Sequence, residues 1–498
     1  MIDVLQHLGH GFLDVLTPMH FLILVVGLVL GLLVAVLPGL TLVMGVVLAL
    51  PFTYGMGVTG AIILLTAMYV SGTYGGAFTS ILFRVPGEPM DVPLLWDGYK
   101  MARSGQAAKA LGYTLFAALA GGLVAATVMT LLSEPVAKIA LTLSTPEYFA
   151  IIMFGLVSVV SLSGNSLING LLSLFIGLFL STVGVEATYG ADRFSFGVSI
   201  LSDGIEYLSI MVGAYGLGEV LSRLETGFKS PTIDVKGQIR TSLPSWKDLR
   251  AIGPTFGRSS ILGVLIGIVP GAGATIASFV AYGVEGQYGK RRAQLGNGIP
   301  EGIVAPQTAA TASVGGAMIP LMTMGIPGSG ATAIILGAFL LHGIQPGPQV
   351  FLNSSEIVYA VYASIFLGII GMCILGYFFI KALVRVLVAP EAVVSTYVII
   401  FCFVGALAAR NNINDLWVIV AFGVLGWLFE KFDFPIAPLV LGSILGPLAE
   451  SAFMTTMLSF ENDWTVFVTR PVSGVILFLA ALALLYPIYR DWRAARTR

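Results

Sequence analysis

The chain has 498 residues, of which 57% are hydrophobic and only 10% are charged. Soluble domains carry about 25% charged residues, so this composition excludes a soluble protein and indicates a polytopic helical membrane protein. The 25 Lys and Arg nearly balance the 26 Asp and Glu, which excludes the basic footprint of a nucleic-acid-binding protein. Cys373 and Cys402 stand in separate apolar runs, so neither a disulfide framework nor a metal site is predicted.

The first apolar run, residues 21–37, is close to the length of a membrane span and ends at Pro38-Gly39. No Lys or Arg precedes it, so it lacks the basic start of a signal peptide and is expected to stay in the mature protein. Another run starts at Gly57 and ends at Pro86-Gly87. Proline removes an amide donor and glycine weakens a helix interior, so each Pro-Gly predicts a broken helix.

The same pattern returns in the second half of the chain. GLLVAVLPGLT at 31–41 matches GVLIGIVPGAG at 263–273. TYGGAFTSILFRVPG at 73–87 matches SVGGAMIPLMTMGIPG at 313–328 with one extra residue in the second copy. Two matches in the same order indicate an internal duplication, with repeat one at about 20–112 and repeat two at about 255–350.

The Lys and Arg residues that flank the two repeats are distributed in opposite ways. None lies in residues 1–20, whereas seven lie in 223–258, ahead of repeat two. After the second break the bias reverses, with four in 84–109 and none in 337–357. Because basic loops stay in the cytoplasm, equivalent loops are predicted on opposite sides of the membrane. The predicted fold is an all-α polytopic membrane protein with two inverted-topology repeats, Pro-Gly-broken helices or re-entrant hairpins, and roughly 10–14 membrane segments.

These features divide the chain into four parts. Residues 1–222 form an N-terminal half with repeat one and scaffold helices, and 223–254 form a polar cytoplasmic linker. Residues 255–460 form a C-terminal half with repeat two and further scaffold helices, and 461–498 form a last helix with a basic cytoplasmic tail. The charge pattern predicts a periplasmic N-terminus and a cytoplasmic C-terminus.

The breaks are the predicted solute site. Half-helix N-termini offer free N–H groups and a positive dipole to an anion, and unwound carbonyls suit a cation. Nearby hydroxyls add contacts unless they bond their own helix carbonyls. Arg84 either snorkels to the cytoplasmic surface or faces a carboxylate solute. The predicted substrate-binding residues are Pro38, Gly39, Thr41, Thr73, Tyr74, Gly75, Gly76, Arg84, Pro86, Gly87, Pro270, Gly271, Gly273, Thr275, Gly315, Gly316, Pro327, Gly328, Ser329 and Thr332.

Motifs for catalysis do not appear in the sequence. The four histidines lack H-E-x-x-H spacing, and neither a G-x-x-x-x-G-K-[ST] phosphate loop nor a G-x-S-x-G elbow occurs. An enzyme and an ATP-driven pump are therefore disfavoured, and no cofactor is predicted. A secondary carrier is the favoured interpretation, with a passive anion channel or a membrane signalling scaffold as alternatives.

Three stretches, residues 31–56, 74–112 and 301–351, closely resemble the large membrane (permease) subunit of the tripartite tricarboxylate transporter family. The Gly-Ile-Pro-Gly-Ser run at 325–329 and the Asp-Gly-Tyr-x-Met-Ala-Arg run at 97–103 are the specific ones. The resemblance covers both repeats and, more loosely, nearly the whole chain. It implies a bacterial inner-membrane permease that takes a small carboxylate from a periplasmic solute-binding protein and works beside a small membrane subunit.

The resemblance also implies coupling to a sodium or proton gradient, without deciding between Na+ and H+. The family usually carries Asn where Arg84 stands, Glu where Gln307 stands, and an Asn-Asn pair where Ala310-Thr311 stand. These departures suggest that Arg84 supplies part of the charge that a cation supplies elsewhere. The protein is expected to contact membrane lipid and no nucleic acid. The sequence does not decide whether it forms homo-oligomers, which carboxylate it carries, or by which motion it transports it.

Overall fold

A computed structural model describes residues 2–37, 40–162, 166–186, 190–202, 204–227, 241–379, 390–410 and 412–496. Within these residues the chain is almost entirely helical, with one two-stranded hairpin formed by β1 (Gly184–Val185) and β2 (Asp192–Arg193). Six of the described helices are long and apolar enough to cross a membrane, and six shorter apolar helices accompany them. The predicted all-α polytopic membrane fold is confirmed.

The N-terminal half is a succession of helices. They are α1 (Ile2–Val15), α2 (Pro18–Val36), α3 (Leu42–Ala49), α4 (Val58–Phe83), α5 (Leu94–Met101), α6 (Ala107–Ala140), α7 (Thr145–Leu162), α8 (Leu167–Ser181), α9 (Ser199–Ser202), α10 (Tyr207–Met211) and α11 (Gly218–Thr226). Short 3-10 helices follow α3 at Leu50–Thr53 and precede α5 at Pro89–Asp91. Wider π turns, at Ala102–Gln106 and Val212–Leu217, join α5 to α6 and α10 to α11.

The C-terminal half contains the remaining helices. They are α12 (Trp246–Ile268), α13 (Gly273–Tyr288), α14 (Glu301–Met324), α15 (Gly330–Leu341), α16 (Pro348–Asn353), α17 (Ser355–Phe378), α18 (Glu391–Arg410), α19 (Asn414–Lys431), α20 (Ile436–Ser459), α21 (Val466–Thr469) and α22 (Pro471–Arg496). A 3-10 helix at Arg292–Gln294 lies between α13 and α14.

Helices α4 and α14 form the centre of the molecule. Every residue from 60 to 81 on α4 and from 301 to 323 on α14 is buried, so neither stretch exposes a side to lipid or to water. Helix α2 packs along α4, and α12 packs along α14. Glycines allow the close approach: a Cβ added at Gly27 would lie 2.6 Å from the Leu64 carbonyl oxygen, and one at Gly267 would lie 2.5 Å from that of Ser313.

The central helices end in the same way. At the end of α4 the amides of Arg84 and Val85 donate to the carbonyls of Ser80 and Thr79, both at 3.3 Å. At the end of α14 the amide of Gly325 donates to Leu321 at 3.0 Å and that of Ile326 donates to Pro320 at 3.2 Å. Arg84 and Gly325 both have left-handed backbones, with φ of 60° and 73°. These are Schellman ends, and each is followed directly by a Pro-Gly pair.

Each Pro-Gly pair packs on the first helix of its own repeat. A Cβ added at Gly87 would lie 2.7 Å from the Ala35 carbonyl oxygen, and one at Gly328 would lie 2.7 Å from that of Gly267. Ala35 and Gly267 occupy matching positions in the two aligned sequences. The same contact therefore occurs once in each copy, as a duplicated unit requires. The inversion of one copy relative to the other stays a prediction.

The predicted linker at 223–254 is helical at both ends, because α11 continues to Thr226 and α12 begins at Trp246. The sequence carries the signal for this start: Ser245 accepts the amide of Asp248 at 3.2 Å, and Asp248 in turn accepts the amide of Ser245 at 3.3 Å. Residues 228–240 lie outside the described part of the chain.

Candidate functional site

A cavity of about 310 Å³ lies where the helix breaks meet. Both repeats contribute to its wall. Repeat one supplies Leu42 and Val43 from α3, Tyr69 and Thr73 from α4, and Glu88 and Met90 from the turn after α4; repeat two supplies residues 271–276 and 329–331. Discontinuities that are more than 200 residues apart in sequence thus share one chamber.

Three helices begin at the cavity wall: α3, α13 and α15. Thr41 caps α3 by accepting the amide of Met44 at 3.2 Å. Ser329 caps α15 by accepting the amide of Thr332 at 3.3 Å, and Thr332 Oγ1 accepts the amide of Ser329 at 2.8 Å. Helix N-termini carry partial positive charge, so their convergence makes this chamber favourable for an anion.

Hydrogen bonds join the two repeats around the chamber. The hydroxyl oxygens of Tyr69 on α4 and Ser329 at the start of α15 are 3.1 Å apart. Ser278 Oγ on α13 donates to the carbonyl of Met90 at 2.6 Å. These contacts tie the wall together, so a displacement of one repeat against the other changes the shape of the chamber.

Within the described wall of the chamber, Glu88 is the only acidic residue, and no Lys, Arg or His is present. Its side chain is buried, and Oε1 accepts the amide of Leu42, the first residue of α3. Its own amide donates to Asp91 Oδ2 at 2.9 Å. In the described part of the chain, the positive field of the chamber therefore comes from helix ends and not from basic side chains.

Comparison with known proteins identifies the family. The profile of the tripartite tricarboxylate transporter TctA family matches residues 21–441. This chain belongs to the TctA family. The resemblance recognised in the motifs is therefore confirmed, and the family is one of transporters.

One relative of this TctA-family chain extends over its whole length, and another covers about half of it. An uncharacterized 52.8 kDa protein from Agrobacterium vitis, in the TAR-I ttuC' 3' region, is 34% identical over 498 residues, which cover 100% of this chain and 99% of the relative. A second protein from the same organism, in the TAR-II ttuC' 3' region, is 35% identical over 234 residues, which cover 47% of this chain and 97% of the relative. No solved structure matches.

The structure brings five of the predicted binding residues to the cavity wall. They are Thr73, Gly271, Gly273, Thr275 and Ser329. The amide of Gly271 also donates to the carbonyl of Gly328 at 3.1 Å, which joins the two breaks of repeat two. Gly271 and Gly273 have positive φ, 81° and 56°, which other residues rarely adopt.

Most of the other predicted residues build the surroundings of the chamber. Tyr74 packs on Phe78, with ring centroids 5.0 Å apart, and Thr41 and Thr332 act as helix caps. Gly75, Gly76, Gly87, Gly315, Gly316 and Gly328 allow close backbone packing, and Pro86, Pro270 and Pro327 stand at the breaks. Pro38 and Gly39 lie outside the described residues.

Arg84 is not brought to the cavity. Its side chain is exposed, and its guanidinium carbon lies 5.8 Å from the ring centroid of Tyr99 on α5. The left-handed backbone at the end of α4 makes Arg84 the counterpart of Gly325 in repeat two. Its position is thus set by the helix-terminating motif, and Arg84 does not line the described wall of the chamber.

Asp97, the first residue of the Asp-Gly-Tyr run, has a structural role. Its carboxylate, fully buried on α5, accepts the Tyr282 hydroxyl at 2.8 Å and the amides of Gly296, Gly298 and Ile299 at 2.8, 2.7 and 2.9 Å. These partners belong to α13 and to the loop before α14. Asp97 therefore fastens the end of repeat one to repeat two.

Sequence reasoning missed Tyr69, Glu88 and Asp97. The available signal for Glu88 was an acid directly after Pro86-Gly87 in an apolar region, since ionisable residues at membrane depth are expensive and commonly functional. Tyr69 gave no comparable signal, because an aromatic residue in an apolar helix is most often part of the packing.

A second cavity, of about 350 Å³, lies beside the β1–β2 hairpin, outside both repeats. Arg193 and Glu450 form a two-pronged ion pair on its wall, with N–O distances of 2.6 and 3.0 Å. The charge of this Arg is thus satisfied by Glu450, and no helix break of either repeat contributes to the wall.

Proposed function

We propose that this TctA-family protein is the large permease subunit of a binding-protein-dependent secondary transporter that imports a small carboxylate, a tricarboxylate or a related organic acid. The observation that supports it best is the convergence of the N-termini of α3, α13 and α15 on one chamber of about 310 Å³. Oriented amides and helix dipoles bind a carboxylate without a basic side chain, as broken helices do in other carriers.

A carrier accounts for the shared wall better than a channel does. The two repeats meet at the chamber through a few specific contacts, Tyr69 to Ser329 and Ser278 to Met90 among them. Relative movement of the repeats would remake such contacts and open the chamber to one side at a time. A passive anion channel would need a continuous path instead, and a signalling scaffold would need no solute chamber.

The proposal includes a bacterial inner-membrane location and inverted repeats. Opposite distributions of basic residues around the two copies support the inversion, and they predict a periplasmic N-terminus and a cytoplasmic C-terminus. The partners proposed are a small membrane subunit and a periplasmic solute-binding protein, in keeping with the tripartite character of the family. The transport is driven by a sodium or proton gradient.

Transport by the reconstituted protein tests the proposal. The large subunit, co-purified with the small membrane subunit, is placed in liposomes and supplied with the binding protein and labelled citrate or succinate. We expect counterflow of label against unlabelled solute and accumulation only when an ion gradient is imposed. Rapid gradient-independent efflux would identify a channel, and failure to bind or move any carboxylate would overturn the proposal.

Two substitutions in the wall localise the site. Tyr69→Phe removes a hydroxyl that lies 3.1 Å from Ser329, and Ser329→Ala removes the cap of α15. We expect each to weaken carboxylate binding by about tenfold, equivalent to one lost hydrogen bond of about 1.4 kcal/mol. Tyr397→Phe is the matched control, because Tyr397 is 58% exposed on α18 and is not among the residues that line the chamber.

A further inference from the structure

Glu88 lies at one of the helix N-termini that make the chamber favourable for an anion. Its side chain is only 8% exposed, and Oε1 accepts the free amide at the start of α3. A carboxylate solute that enters the same chamber competes with Glu88 for the same kind of donor. The chamber therefore holds an acceptor of its own at the point where the solute needs donors.

The groups that face Glu88 do not neutralise its charge. Asp91, on the same turn, is a second buried carboxylate whose Oδ2 accepts the Glu88 amide and whose Oδ1 has no partner among the described residues. Tyr69, from α4, shares its hydroxyl with Ser329. Glu219, from α11, acts on Glu88 electrostatically and is itself paired with Arg223 at 2.6 Å.

Glu88, on the chamber wall, and Asp91, buried on the same turn, cannot both be ionised without a large repulsion. A proton on Glu88 removes that repulsion and also turns an acceptor into an O–H donor, which the solute can use. Neutralisation of Glu88 by a bound sodium ion is less favourable than protonation, because the positive ends of α3, α13 and α15 face the chamber and repel a cation.

We propose that Glu88 is the residue that couples transport to protons in this protein. Its carboxyl group takes one proton from water on the side where the solute enters, keeps it while the solute occupies the chamber, and returns it to water on the side of release. The proton is the only species transferred to the protein, and no covalent bond to the solute forms. This inference rests on the proposed carboxylate import and specifies its driving ion.

Binding measured as a function of pH tests the inference. The probes are labelled citrate and succinate, titrated into the purified membrane complex between about pH 5.5 and pH 8.5. Uptake of one proton on binding makes the wild-type Kd rise with pH by up to about tenfold per unit above the pKa of the free site. In Glu88→Gln, which cannot ionise, we expect this dependence to flatten.

Glu356→Gln is the matched control, because Glu356 lies exposed at the start of α17 and away from the chamber. It should keep the wild-type slope, and titration of the probe itself affects all three proteins equally. An unchanged slope in Glu88→Gln would overturn the coupling role. If the wild type binds neither probe nor any other carboxylate tested, the proposed function fails instead.

A second measurement, on the wild type, tests the inference if the Glu88→Gln protein does not fold. Wild-type proteoliposomes receive either a pH gradient without sodium or a sodium gradient at equal pH on both sides. The inference requires accumulation with the pH gradient alone. Accumulation that follows the sodium gradient and ignores the pH gradient would overturn it.

Discussion

Gln307 on α14 donates from Nε2 to the main-chain carbonyl of Thr73 on α4, at 3.1 Å. The same nitrogen lies 3.1 Å from Thr311 Oγ1, which in turn donates to the Gln307 carbonyl at 3.1 Å. This bond joins the two central helices, one from each repeat, beside a residue of the chamber wall. The buried amide thus aligns α14 with α4 and so helps to define the chamber.

Replacement of Gln307 by Leu should lower the stability of the protein. The side chain keeps a similar volume but loses the inter-repeat donor, so we expect a loss of about 1 kcal/mol, seen as a lower Tm in detergent. Gln349→Leu is the control, since Gln349 is exposed on α16. Equal melting temperatures for the two variants would show that the bond contributes little.

Arg84→Gly should raise the Tm. Arg84 has a left-handed backbone with φ of 60°, which costs a residue with a Cβ roughly 1–2 kcal/mol, and the matching position in repeat two is Gly325. The extra freedom of glycine in the unfolded chain offsets roughly 0.4–1 kcal/mol, so the net gain is about 1 kcal/mol. Arg84→Ala keeps the Cβ and should show no such gain; a Tm for Arg84→Ala as high as that of Arg84→Gly would contradict the backbone explanation.

Gly328→Ala should disrupt the second break of repeat two. The new Cβ would lie 2.7 Å from Ala317 Cα and 2.7 Å from the Gly267 carbonyl oxygen, both of them backbone atoms that cannot move aside. We expect destabilisation of about 1–3 kcal/mol and reduced carboxylate binding.

Gly283→Ala provides the comparison for that substitution. Gly283 is exposed on α13 and has nothing within 4 Å of the added Cβ, so alanine should stabilise its helix by about 0.5–1 kcal/mol. Thermal unfolding and equilibrium binding of labelled succinate measure both variants. A Gly328→Ala protein with the stability and affinity of Gly283→Ala would refute the close packing at this break.

Asp97→Asn should loosen the attachment between the repeats. The carboxylate accepts a hydroxyl and three amides, and an asparagine has only one oxygen with which to replace its two acceptor atoms. At least one buried donor therefore loses its partner, at a cost of about 1–3 kcal/mol. The measurement is Tm together with protease sensitivity of the loop at residues 289–300.

Asp433→Asn is the control for Asp97. Asp433 is exposed, and its φ of 56° is a conformation that asparagine also tolerates. Its Tm should stay within error of the wild type. If Asp97→Asn behaves in the same way, the carboxylate does not hold the two repeats together.

Much of the architecture could be predicted from the composition and from the positions of proline and glycine. Few charges and long apolar runs indicated membrane helices, and the Pro-Gly pairs marked where helices end, because proline and glycine act locally through their own backbone. The duplication was visible because the same Pro-Gly and Gly-Gly pattern returns in the second half of the chain. The structure adds that Ala35 with Gly87, and Gly267 with Gly328, form the same close contact. Local chemistry was sufficient for each of these predictions.

The composition of the chamber wall was decided by tertiary structure. Thr73 and Tyr74 are neighbours in sequence, yet Thr73 lies on the wall and Tyr74 packs against Phe78, because adjacent helix residues point in different directions. Spacing along the chain cannot say which turn of α4 faces the starts of α13 and α15. Glu88 meets the first amide of α3, 46 residues earlier, only because the two breaks of repeat one are folded against each other.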